Sequence, residues 1–232
     1  MKEKTQTFLI KNKYLKSLIK IFGIFLLLLY ENIIILIWPN DPLLNIPGLI
    51  ILLIADIAIG FDVYIRPHSI KEKDEYKTWK IYIFFIASLL FLGLPWIEKS
   101  IFSYKYQSEI ILSIFYILGI CLTSLGGILL GWSRITLGKF GSPKIFIQDN
   151  HLLIKEGPYK YVRNPMYLAD LLLYGGFAIA FGAWFSFAFT LLALLPMLLG
   201  RIKIEEKILS EKFGIEYKEW VKSTKRILPF IW

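Results

Sequence analysis

Long unbroken apolar runs alternate with short polar, lysine-rich segments along this chain of 232 residues. The runs fall at about 20–38, 43–65, 79–96, 109–132, 166–182 and 184–200. They are continuous rather than alternating, and lipid cannot satisfy free backbone N–H and C=O groups. Membrane-spanning helices are therefore expected, not strands of a barrel. Residues 166–200 are too long for one span of about 20 residues, and a tight hairpin turning at Phe181-Gly182-Ala183 divides them. The third run is bracketed by Trp79 and Trp96, the aromatic anchors expected at a membrane interface. The predicted fold class is all-α: a polytopic membrane helix bundle of about six transmembrane helices, with cytoplasmic amphipathic helices at the C-terminus. It divides into an N-terminal region 1–132 with about four spans and a C-terminal region 133–232 with a loop, a two-span hairpin and a polar tail. No small-residue cleavage site follows the first run, so it is expected to be a retained helix rather than a signal peptide.

Charge orients the bundle. Of the 27 lysines and arginines, 25 fall in residues 1–20, 66–80, 133–165 and 201–232. The remaining connections carry only Lys99 and Lys105. By the positive-inside rule both termini and both large loops are cytoplasmic, which requires an even number of spans. The net charge of +9 is thus mainly a topology signal, and it favours contact with anionic headgroups of the bilayer. Basic residues spread over four membrane-adjacent segments do not make a nucleic-acid surface. Cys121 is the single cysteine, and the only histidines are His68 and His151. No cluster has metal-ligand spacing, so no metal site is expected. Oligomeric state has no signature in the sequence.

Two cytoplasmic segments carry unusual polar patterning. In the loop, His151-Leu152-Leu153-Ile154 is expected to be a short extended piece, and Gly157-Pro158 turns the chain. Asn164 is restricted by the proline after it, and Pro165 suits the first position of a helix. Backbone donors at that helix start can hold an anionic group. Tyr159, Tyr161 and Tyr167 supply stacking faces and hydroxyls. The plainer alternative is a juxtamembrane anchor, since tyrosine and arginine are common at headgroup level. In the tail, Arg201 and Glu205 share a helix face. They form either a surface ion pair worth a few tenths of a kcal/mol or a pair of ligand-binding groups at a dehydrated boundary. Glu206, Lys207, Glu211 and Lys212 are expected to form an ordinary solvated face. Phe213-Gly214 is expected to stop the helix, and a second, amphipathic piece follows from Ile215.

Acidic residues within spans are costly and point to function by default. Asp62 has Arg66 nearby as a natural partner. Asp170 is about one turn inside its helix and could face the loop. Asp56 is the deepest. Gly127 and Gly131 form a GxxxG pair, expected to mark close helix packing. There is no GxGxxG and no Walker lysine, so no nucleotide loop.

Taken in order, His151-Leu152-Leu153-Ile154, Gly157-Pro158-Tyr159, Arg163-Asn164-Pro165-Met166-Tyr167, Arg201…Glu205-Glu206 and Phe213-Gly214…Tyr217 resemble the C-terminal signature of the isoprenylcysteine carboxyl methyltransferase family. Its superfamily also includes phospholipid N-methyltransferases. The resemblance covers about residues 130–232. It implies an integral-membrane methyltransferase that uses S-adenosylmethionine on a lipid or lipid-modified acceptor. It implies that His151, Leu152, Leu153, Ile154, Tyr159, Asn164, Pro165, Met166, Tyr167 and Glu205 line the cofactor pocket, and that Arg201 faces the acceptor. Arg163 is a second candidate for the acceptor's anionic group. The family's arginine-histidine-proline is here Arg163-Asn164-Pro165; asparagine still donates and accepts hydrogen bonds but carries no charge. Two other functions are weighed against this one. A nicotinamide-dependent membrane lipid reductase would share a polar C-terminal pocket, and a transporter subunit or scaffold would give Asp56 and Asp62 a role.

Overall fold

The computed structural model describes Ile50 and residues 53–59, 90–99, 101–102, 109–140 and 152–229. The first expected span, His151 and Asp62 lie outside the described residues, as do parts of the second and third spans. Among the described residues the chain is helical, with turns between helices and no strand. Helix α1 runs Glu109–Leu137, α2 Pro165–Ala180, α3 Trp184–Phe189 and α4 Leu195–Ser223. Short helical pieces at 53–59 and 90–99 pack against them. Two helical runs are long and apolar enough to cross a membrane, Ile110–Leu137 and Trp184–Ser223, and Pro165–Ala180 is a shorter apolar helix.

Helices α1 and α2 are antiparallel and in close contact, and glycines set their spacing. A Cβ added at Gly126 would stand 2.6 Å from the Leu173 nitrogen, and one at Gly176 would stand 2.7 Å from the Thr123 nitrogen. At Gly119 the same addition would collide with the Ala180 backbone. Bare backbone lets the helices approach until dispersion contacts form along the whole seam. The expected GxxxG pair is only partly involved: a Cβ at Gly127 would meet Ala58 of the 53–59 piece at 3.0 Å. The α1–α2 seam instead uses Gly119 and Gly126, seven residues apart and therefore on one stripe.

The hairpin turns where its length requires. Gly182, with φ of 63°, occupies the left-handed position that a side chain would strain. Its N–H donates to the Ile179 carbonyl at 2.9 Å and that of Ala183 to the Ala178 carbonyl at 3.0 Å, closing the end of α2. The next helix start is held by Glu98, which is buried. Glu98 accepts from the Phe185 nitrogen at 3.0 Å and from both the nitrogen and hydroxyl of Ser186 at 2.6 Å. A carboxylate there satisfies orphan donors and complements the positive helix end. The run then widens into a π-turn over Thr190–Leu194, just ahead of Pro196, which has no N–H to offer the ladder.

Beyond Gly200 the helix of the sixth apolar run does not end. It continues through Arg201 and Glu205 as α4, so the tail grows directly out of the membrane helix. Gly214 then adopts φ 52° and ψ −113°, and the helix kinks there before resuming. The main core joins Tyr167, Leu173, Phe177 and Phe181 of the hairpin to Leu194, Leu198 and Ile202 of the last run, with Phe91, Leu92 and Trp96 from 90–99. Ile227, from beyond the kinked tail, is buried in this same core. A smaller cluster joins Tyr159 of the loop to Tyr217 and Trp220 of the tail.

Candidate functional site

Neighbouring glutamates on α4 hold two separate polar networks. The first gathers Tyr167, Arg201 and Glu205. Pro165 occupies the first turn of α2, with Asn164 as its cap residue, and this fixes where Tyr167 emerges. The Tyr167 hydroxyl donates to Glu205 Oε1 and accepts from Arg201 Nε at 3.1 Å. Arg201 Nη2 also donates to Glu205 Oε1, at 3.3 Å. The guanidinium carbon lies 5.9 Å from the centre of the Tyr167 ring, within cation–π range. Arg201 and Glu205 side chains are only 11% and 27% exposed. This is not a solvated helix pair: it is a partly dehydrated triad with a phenol at its centre.

The remaining sequence-selected residues surround this triad unevenly. Leu153 and Ile154 are half-buried against the cluster of Tyr159, Tyr217 and Trp220, whereas Leu152 is exposed. Residues 152–155 are non-helical and carry no strand pairing. Met166 is half-buried beside Tyr167 at the start of α2, and Asp170 is half-buried about one turn further on. Asn164 is buried, and its amide Nδ2 donates to the Arg226 carbonyl at 3.0 Å. Its charge-free side chain therefore fastens the tail. Tyr161 is exposed.

Arg163 stands apart from Arg201. Its Nε donates to Glu206 Oε1 at 3.2 Å, and its Nη1 donates to the carbonyls of Thr224 at 2.6 Å and Val221 at 3.3 Å. These carbonyls end α4 and have no helical partner of their own. Arg226 grips the same glutamate, with Nη2 at 2.8 Å from Oε2 and Nε at 3.3 Å from Oε1. Glu206 was expected on a solvated face; it instead sits between two guanidiniums with 15% of its side chain exposed. Tyr217 lies beside this network. Burial first, and the Glu206 carboxylate second, push its hydroxyl up to about 12 against the opposing pull of Arg163 and Arg226. The pairings of Glu206, Arg226 and Trp220 are what a sequence scan misses, because their partners lie 20 to 61 positions away.

Donor chemistry fits a cationic, hydroxyl-bearing small molecule at the first network. Glu205 Oε1 is engaged twice, while Oε2 makes no hydrogen bond among the described residues. A part-exposed carboxylate oxygen beside an aromatic ring suits an ammonium or a pair of ribose hydroxyls. No group of three or more His, Cys, Asp or Glu residues arranged for a metal occurs among the described residues.

Among the described residues the protein is all-helical, with apolar helices of membrane-spanning length and a partly dehydrated Tyr–Arg–Glu triad where the last one emerges, which together define a membrane protein with a polar site at one end of its helices. Comparison with known proteins makes this more specific. The phospholipid methyltransferase family model matches residues 114–216. Two rice proteins, from the indica and japonica subspecies of Oryza sativa, are each 29% identical over 115 residues, and each is described as a probable protein-S-isoprenylcysteine O-methyltransferase. The matched part is 49% of this chain and 60% of each rice protein. The C-terminal half of the chain is thus similar both to the phospholipid methyltransferase family and to these isoprenylcysteine methyltransferases, of whose length it matches about three fifths. The family match covers most of α1, the turn, the hairpin and the tail as far as Glu216, and so includes the Tyr167–Arg201–Glu205 network and the Arg163–Glu206 pair but not Arg226.

Proposed function

We propose that this protein is a membrane methyltransferase that uses S-adenosylmethionine on a lipid or lipid-modified acceptor at the cytoplasmic face. The observation that carries it is the Tyr167–Arg201–Glu205 triad, lying within the segment shared with the methyltransferase superfamily. In this proposal residues 133–232 form the catalytic region. Residues 1–132 supply four spans of a six-span bundle with both termini cytoplasmic. Similarity to the phospholipid and isoprenylcysteine methyltransferases favours this function over a lipid reductase or a transporter subunit.

S-adenosylmethionine, when bound, supplies a methyl group already activated on a sulfonium, so the chain needs neither a covalent nucleophile nor a metal. Its task is alignment and exclusion of water. Glu205 Oε2 holds the cofactor's ammonium or ribose hydroxyls. Tyr167 keeps Glu205 and Arg201 in fixed relation and offers its ring as one wall. Leu153, Ile154, Tyr159 and Met166 supply apolar surface, with His151 and Leu152 at the entry to the loop. Arg201 receives the anionic group of the acceptor, for which a planar guanidinium is suited. Arg163, engaged by Glu206 and by two tail carbonyls, positions the loop and the Pro165 helix start rather than meeting the acceptor itself. A carboxylate acceptor needs no base. An amine must lose a proton, and Asp170 or a tyrosine is then the candidate base.

The test is transfer of labelled methyl from S-adenosylmethionine by purified protein into a total lipid and protein extract. Label in the lipid-soluble fraction is expected. Base-labile label identifies an ester and stable label an amine. Glu205→Ala should weaken cofactor binding about tenfold or more, as loss of a charge-assisted hydrogen bond implies. Arg201→Ala should chiefly lower transfer. Folded protein with no saturable binding of S-adenosylmethionine would end the proposal.

A further inference from the structure

We infer that Glu206 is the centre of a latch that fastens the C-terminal segment 224–227 to the turn 159–164, and that this latch positions Tyr167 against Glu205 and Arg201. The inference rests on the function proposed above for the triad, but it names residues outside it.

Five independent contacts converge on this junction. Glu206 bridges Arg163 of the loop and Arg226 of the tail, at 3.2 Å and 2.8 Å. Arg163 Nη1 closes the end of α4 through the Thr224 and Val221 carbonyls. The backbone nitrogens of Arg163 and Asn164 donate to the Lys225 and Arg226 carbonyls at 2.8 and 3.2 Å, and Lys225 returns a bond to Tyr161 at 3.3 Å. Trp220 Nε1 donates to the Tyr159 carbonyl at 3.2 Å. Ile227 is buried in the main core together with Tyr167 and Ile202. The kink at Gly214 makes this possible, because it turns the last helical piece back toward the loop.

The latch adjoins the triad at both of its ends, one residue away on α4 and within one turn at the start of α2. Glu206 follows Glu205 on α4, and Asn164, which the tail grips, caps the helix whose first turn carries Tyr167. Loss of the Glu206 charge would leave the buried Arg163 guanidinium, and the part-exposed Arg226 beside it, without their shared counter-charge, at a cost greater than in water. The start of α2 would then be free to shift, and misplacement of about 1 Å can cost roughly a hundredfold in rate. Glu206 and Arg226 are positioning residues: they touch Arg163 and the tail, and they act on the site through them.

The experiment uses the full chain in detergent or proteoliposomes, comparing Glu206→Gln, Arg226→Gln and the control Lys207→Ala, whose lysine is exposed and pairs only with Glu211 along the helix. Trypsin reports tail release by cleavage after Lys222 or Lys225. Methyl transfer to lipid extract reports the site. For Glu206→Gln, faster tail cleavage and a kcat lowered roughly ten- to hundredfold are expected, with a smaller change in cofactor affinity. Lys207→Ala should match wild type in both assays. The double variant Glu206→Gln/Arg226→Gln should be no worse than either single one, since both break one network. An unchanged cleavage pattern in Glu206→Gln would show there is no latch. Opened tails with kcat within twofold of wild type would show that the latch does not position the site. A readout independent of activity separates this from failure of the methyltransferase proposal itself. The stability cost of Tyr167→Phe should shrink in the Glu206→Gln background, and additive costs would overturn the positioning role even if no methyl acceptor is found.

Discussion

At the scale of single residues, Gly157 shows how narrowly the loop is built. Its φ of 54° lies in the left-handed region, and a Cβ there would stand 2.7 Å from Thr136 Oγ1 and 3.2 Å from Trp132 Nε1. The Thr136 hydroxyl is itself held to the Trp132 carbonyl at 2.9 Å, so it cannot yield freely. Gly157→Ala should therefore destabilise the protein by about 1–3 kcal/mol, read as a lower midpoint in thermal or denaturant unfolding. Adding Thr136→Ala should recover the steric part and leave the backbone part. Full recovery in the double variant would mean that the backbone conformation contributes nothing. Gly157-Pro158 was legible as a turn because both residue types have strong local meaning. The residue it packs against was not, since Thr136 lies 21 positions earlier on α1. Glu205 and Glu206 make the same point. Adjacent in sequence and identical in chemistry, they face different partners because a helix turns about 100° per residue. One meets Tyr167 and the other Arg163.

Elements repeat this lesson with different physics. The hairpin division at Phe181-Gly182-Ala183 was readable from span length and a single glycine, and the start of α2 from Asn164-Pro165. The continuity of the last span with the tail was readable too. What the tail does after Gly214 was not. A glycine indicates that the chain is free to break helical geometry, but the direction of the break is set by the Tyr159–Tyr217–Trp220 cluster and by Arg163. Likewise Gly127 and Gly131 match a familiar motif, yet the α1–α2 seam runs through Gly119 and Gly126, facing Ala180 and Leu173. Only knowledge of the opposing helix selects between stripes so close in rotation. Tyr217 tests the tail's docked geometry directly. Its hydroxyl is pushed up to about 12 in the fold, against 10.0 for a free phenol. The folded state holds this proton more tightly, so the associated stability is intact below pH 10 and declines as pH rises from there through about 12. Ultraviolet titration of tyrosinate should show a late-titrating component that Tyr217→Phe removes. If the Tyr217→Phe difference curve centres on the ordinary phenol value, the tail is not docked as described.

For the molecule as a whole, charge and hydropathy combine in a way that no single element reveals. The triad and the latch share the end of the bundle at which the last span emerges and α2 begins. The segments that build them, 133–165 and 201–232, are two of the four that hold nearly all the basic residues. A cofactor with several charges cannot cross a bilayer unaided, so a site of this chemistry has to open on the side that supplies it. On the function proposed above, the excess of lysine and arginine predicts that this side is the cytoplasm. Single cysteines added to a Cys121→Ser background test the assignment, because Cys121 is the only native thiol. Lys160→Cys, exposed at the end of the turn, should resist a membrane-impermeant maleimide in intact cells and react after permeabilisation. Lys105→Cys, between the third and fourth expected spans, should react in intact cells. Reversed labelling would turn the bundle over and place the site away from the cytoplasmic cofactor supply. Labelling of both positions from one side would instead give an even number of spans between them, so the two outcomes separate an inverted bundle from a miscounted one.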